Sequence, residues 1–248
     1  MAGVAVFLFV GALLSYLAAK QLLGLHLDKH YDLWFQADTP RVFTNLTDRA
    51  SNHYRTSVHP LVSLFLATPT MVLVKLGLAP MRAAYVLTIV GAGLLSGFFF
   101  LLLYRLHARL LEAALFTSLL LCSASFLFFG SIVELYAWGG LSIVLAILLA
   151  TVEGRFQPAC LVIAGIVSVS ITITNWMAGI VANLEREKLS RAVLYSALAL
   201  AAVAALSAVQ GYIYPTAGRF FSIHEERNYT NLDVTGRKLQ VPRVFFLG

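Results

Sequence analysis

The sequence predicts an all-α, polytopic membrane protein, and three observations carry that prediction. Of its 248 residues, 59% are hydrophobic, above the roughly 45–50% of a soluble domain. Charged residues supply only 12%, about half the usual ~25%, and mean hydropathy is +0.81. The apolar residues are also gathered rather than dispersed. Nearly uncharged runs lie near 3–24, 59–76, 83–104, 110–130, 132–152, 158–182 and 192–214. About 18 residues of helix cross a bilayer core, so about seven transmembrane helices are expected in one transmembrane domain over 1–248.

The first run begins without a basic segment, is too long for a signal-peptide core and is followed by six others, so it is expected to remain as a helix. The first long loop follows, about 25–58. Thr39-Pro40 reads as a helix start, because threonine caps free amides and proline is tolerated in the first turn. From there Phe43, Leu46, Ala50 and Tyr54 recur at spacings that form one apolar stripe. Arg41, Asn45, Asp48, Asn52, Arg55 and His59 form a polar stripe on another face, which predicts an amphipathic juxtamembrane helix along the membrane surface. Such a stripe is also what a plain solvated face looks like. Further on, Glu134 stands alone between two apolar runs, either in a hairpin turn or as a functional intramembrane acid. Asn175-Trp176 interrupts the run 158–182, where an asparagine can pack helices. The polar tail 216–248 ends as another apolar run begins and reads as cut off.

The loop 183–191 is the most basic of the short ones, which places it in the cytoplasm. Seven crossings then put the opening loop and the tail on the extracytoplasmic face. Composition excludes other classes. The net charge of +6 is spread over loops without interleaved aromatics, which suits anionic lipid and not nucleic acid. Cys122 and Cys160 lie inside apolar runs, giving no disulfide framework or zinc spacing, and there is no phosphate-binding or dinucleotide fingerprint.

The chemistry-bearing residues concentrate in one place. Positions 26–60 hold four of the twelve acids, four of the six histidines and four basic residues. Asp38 precedes the expected helix and its dipole favours the ionised carboxylate, a candidate general base or ligand for a divalent cation. Arg41, Arg49 and Arg55, with His53 and His59, are candidate phosphate-binding groups, arginine because it binds phosphate in bidentate fashion.

One apolar helix, a long loop with an early Asp, and then "NLTDRASNHYRTSVHPL" leading into the next helix resemble bacterial membrane glycosyltransferases of the GT-C fold. "FLFFGSIVELYAW" and "ITITNWMAGIVANL" resemble other stretches of that group. It includes protein O-mannosyltransferases, aminoarabinose transferases and oligosaccharyltransferase catalytic subunits. The resemblance implies transfer of a sugar from a polyprenyl-phosphate carrier to an unidentified acceptor on the extracytoplasmic face, in the bacterial inner membrane. It assigns the catalytic acid to Asp38, with Asp32 as competitor, and a second acid to Glu134. Asp38 would carry Mg or Mn if a metal is used, and His59-Pro60 would face the carrier phosphate. The chain departs from the pattern in being short, and "ADT" is not a sugar-nucleotide DxD motif. Three full crossings by the runs 59–76, 83–104 and 110–130 would also put Glu134 on the wrong face, unless one of them is short or re-entrant. The competing expectation is a non-catalytic multi-pass subunit that binds lipid phosphate or a partner membrane protein. A transporter fits less well, since the middle runs carry almost no ionisable residues.

Overall fold

The computed structural model describes residues 2–22 and 37–222, and all regular structure among them is helical. The helices are α1 (Ala2–Leu22), α2 (Thr39–Thr47), α3 (Ser63–Lys75), α4 (Pro80–Arg105), α5 (Leu110–Cys122), α6 (Ala124–Phe129), α7 (Tyr136–Ala150), α8 (Gln157–Ile171), α9 (Trp176–Arg186) and α10 (Leu189–Ile213). The first five residues of α3 form a π-helical turn. Four segments are long and apolar enough to cross a membrane: α1, α4, α8 with its preceding turn, and α10. Large apolar side chains lie exposed along them and along α5, Phe9, Leu111, Leu119 and Val193 among them. Together these features mark a membrane protein. Asp32 and most of the polar tail lie outside the described residues.

Long-range packing is set by small residues. Gly93 lies against Leu8 O and Ala12, and Gly97 against Val4 O and Leu8, so α1 and α4 run antiparallel in close contact. Ser96 Oγ seals the seam by donating to Phe7 O at 2.8 Å, as small polar residues do where lipid gives no hydrophobic drive. On the other side of the bundle, a Cβ added to Gly179 of α9 would stand 2.8 Å from Gly165 Cα of α8.

These contacts define two ends. At one, Ala19, Val42, Leu46, Val62, Leu66, Ala67, Ala84, Tyr85, Val133 and Tyr214 share a core cluster. At the other, Arg105, Thr151, Glu153 and Arg186 border one cleft, and Arg186 pairs with Glu153 at 3.2 Å. The expected helix at 59–76 does not run between them. Its helical part ends at Lys75, five residues before α4 opens at Pro80, and Met71 within it still packs on this same cluster. α3 starts beside Val62 and returns through residues 76–79 to α4, whose Ala84 and Tyr85 belong to the same cluster. Gly77, with φ 99°, and Pro80 at the start of α4 favour this tight reversal. With α3 confined to one end, Glu134 comes to the same end as the opening loop. The parity conflict in the sequence disappears for that reason.

The run 158–182 also differs from expectation. It breaks between α8 and α9, where Thr172 is extended (φ −155°, ψ 141°). The break is stabilised from outside: Leu61 N–H donates to Ser170 O at 2.9 Å and Ile173 N–H to Val58 O at 3.0 Å. Backbone groups freed by the broken helix thus find partners in the 58–61 segment, as a dry environment demands.

Candidate functional site

The opening loop does not form one surface helix. α2 stops at Thr47 because Asp48 folds the chain into a side-chain-closed turn. Its Oδ1 accepts from Ala50 N–H at 2.8 Å, and Ser51 Oγ donates to Asp48 O at 2.8 Å. Such local bonds compete with the helical ladder. α2 buries Val42 and Leu46 in the core cluster, so it packs on the bundle. Asp38, not Thr39, occupies the N-cap position, and its side chain makes no capping bond.

That side chain goes to Arg41 instead. Asp38 Oδ2 accepts from Arg41 Nε at 2.9 Å and Nη2 at 2.8 Å. Ala37, one residue earlier, is buried against Ile132, Phe128 and Phe129. This packing brings the Asp38 N–H onto Glu134 Oε1, and Leu135 N–H donates to Oε2 at 3.2 Å. Glu134 therefore ties the start of α2 to the start of α7. It is 7% exposed, and burial pushes its carboxyl above the usual range against the opposing pull of these amides and Arg41.

Asp38, Arg41, Arg55, His59 and Glu134 line one cavity of about 410 Å³. Its remaining wall is the face of α7 made by Tyr136, Gly139, Gly140 and Ile143, together with Ile171, Thr172, Thr174 and Asn175 of the α8–α9 break. Five of the seven residues singled out in the sequence as site residues thus share a cavity although they lie up to 96 residues apart. The other two do not. Arg49 Nε donates to Ile213 O at 2.6 Å, away from the cavity lining. His53 is fully buried, with Nδ1 2.8 Å from Ser63 Oγ, Nε2 3.1 Å from Asp48 O and its ring against Tyr214. It is a core histidine, and burial lowers its pKa.

His59 Nδ1 lies 2.8 Å from Ile171 O. Burial, assisted by Arg55 and Arg41, pushes its pKa down to about 4, so the ring is neutral at pH 7. Among the described residues, the positive charge that borders the cavity is that of Arg41 and Arg55. Both carboxylates are engaged by protein donors. Both arginine contacts fall on Asp38 Oδ2, and Glu134 is spent on two backbone amides. Among the described residues no group of three or more His, Cys, Asp or Glu gathers as a metal site.

Sequence reasoning missed several contributors. Gln210, buried in α10, donates from Nε2 to Pro60 O at 2.7 Å and accepts from Leu64 N–H at 2.9 Å, fixing the turn that carries His59. A lone glutamine near the end of an apolar run was its only signal. The alternating threonines of "ITITN" were the signal for the break that lines the cavity. Asn175 does the packing expected of it, donating to Gly139 O at 2.9 Å and Ser142 Oγ at 3.0 Å, and also lines the cavity. Comparison with protein-family models, with curated proteins and with solved structures gives no match.

Proposed function

We propose that this protein is a membrane glycosyltransferase that takes a sugar from a polyprenyl-phosphate carrier. The observation that carries the reading is the convergence of two carboxyl groups and two guanidiniums on one cavity that also meets the Gly139, Gly140 and Ile143 face of α7. An amphiphile with a phosphate head and a prenyl tail matches that division, the guanidiniums facing phosphate and the α7 face the hydrocarbon. The transition state for breaking the bond at sugar C1 is oxocarbenium-like and positive. Asp38 and Glu134 supply negative charge where it develops. Binding of undecaprenyl phosphate to the purified protein tests the head site. Arg41→Ala and Arg55→Ala should each weaken it about tenfold or more, since a charge-assisted phosphate contact is worth about 1.5–3 kcal/mol. Arg49→Ala should stay within about twofold, because its guanidinium is held by Ile213 O. Equal losses in all three that vanish in added salt would reduce the loop to a basic surface patch and favour the non-catalytic subunit.

In this reading the chain makes seven passes, by α1, α4, α5 with α6, α7, α8, α9 and α10. The count equals that expected from the sequence, but α3 drops out and the run 158–182 supplies two passes. The far-end loops then carry Arg105, Arg109, Arg155, Arg186, Lys188 and Arg191 and face the cytoplasm, in the inner membrane of a bacterium. In a background lacking Cys122 and Cys160, a cysteine at position 51 should react with an impermeant maleimide in whole cells. One at position 190 should react only after lysis. The opposite pattern would turn the protein over and take the site off the extracytoplasmic face.

A further inference from the structure

We propose that His59, and neither carboxylate, takes the proton of the attacking hydroxyl; this rests on the transferase reading. The geometry decides among three candidates. A carbonyl oxygen only accepts, so the Nδ1–Ile171 O contact puts the ring proton on Nδ1 and leaves Nε2 of the neutral imidazole as a lone-pair acceptor. Among the described residues Nε2 has no hydrogen-bond partner, and it is not among their sealed, unpartnered side-chain atoms; it opens on the cavity that His59 lines.

The ring is held in place from three directions. Ile171 O holds Nδ1, the 58–61 segment pairs with the α8–α9 break, and Gln210 brackets Pro60 and Leu64. By contrast, Asp38 is committed to Arg41 through two nitrogens, and Glu134 accepts two amides. Bonds to the ionised form reduce the basicity of a carboxylate.

The charged groups facing His59 are Arg55 on its own segment, Arg41 and Asp38 on α2, and Glu134 before α7. The two arginines weaken the ring as a base in the empty cavity. A donor phosphate seated between them offsets their charge, so donor binding itself makes His59 more basic. The hydroxyl oxygen then bonds to sugar C1 as the C1–O bond to phosphate breaks. The electron pair leaves with the polyprenyl phosphate, the hydroxyl proton moves to Nε2, and the imidazolium later returns it to water.

The test uses the full chain in lipid nanodiscs with undecaprenyl-phosphate hexose as donor and water as acceptor, read as release of free hexose. His59→Asn places an amide where it can still donate to Ile171 O but removes the base. Its kcat should fall about 10²–10⁴-fold, while undecaprenyl phosphate binds within about threefold of wild type. Added imidazole should restore part of the rate in His59→Ala. Hexose release by His59→Asn at the wild-type rate would overturn the proposal. Binding and rate lost in proportion, without imidazole rescue, would do so too, by making His59 a structural residue. A wild-type protein that binds undecaprenyl phosphate yet releases no hexose would instead remove the transferase reading, and the base role with it.

Discussion

Asp38→Asn is expected to lower sugar transfer by about 10²–10³-fold, the usual loss when one preorganised electrostatic partner of a transition state is removed. The substitution keeps size and shape, and the Asp38 N–H contact to Glu134 is made by backbone, so the fold should survive. Two effects combine. The negative charge beside the developing oxocarbenium is lost, and Arg41 Nε and Nη2 keep at most a neutral amide oxygen in place of the carboxylate. KM for the donor should therefore move along with kcat, whereas His59→Asn should act on kcat alone. The measurement is hexose release from undecaprenyl-phosphate hexose, with melting temperature as the folding control. Full activity in Asp38→Asn would take the residue out of the mechanism and turn attention to Asp32.

Gly179→Ala is expected to have the largest structural effect of any single methyl group added to the α8–α9 seam. The new Cβ would meet Gly165 Cα at 2.8 Å and Ser168 Oγ at 2.6 Å. The serine can rotate away, but the backbone can yield only if α8 and α9 part. Overpacking of this kind costs about 1–3 kcal/mol, and each kcal/mol lowers melting by roughly 2–4 °C in a chain of this size. Because α9 starts at the break that lines the cavity, donor binding should weaken as well. Gly139→Ala is the matched control, since its Cβ would lie 3.5 Å from Asn175 Nδ2, an ordinary contact. Equal melting temperatures for the two variants would show that the seam is looser than these distances.

Several features were legible because they depend on local composition. The apolar runs gave an all-helical membrane protein, since a run of uncharged residues is driven out of water whatever its neighbours do. The concentration of ionisable groups in the opening loop was legible in the same way, because composition alone records it. Periodicity failed at Asp48, where a local side-chain bond ends the helix that the stripe predicts to continue. It failed again at 59–76, because hydropathy records that a segment is apolar and not where its two ends lie.

The sequence by itself determined the solvent this chain is built for, most of its helices and the cluster of ionisable groups in the opening loop. Only the tertiary structure decided which of those groups work together. His53 and His59 are six residues apart, and the sequence offers both as candidate phosphate-binding groups. One is sealed under Tyr214 and the other opens on the cavity through Nε2. Glu134 joins Asp38 only because α3 turns back at the end where it started, and Gln210 reaches Pro60 from 150 residues away. Pairings of this kind depend on which helices meet. In this chain that depends on glycines such as Gly97 and Gly179, whose missing side chains let backbones approach without leaving a periodic mark in the sequence.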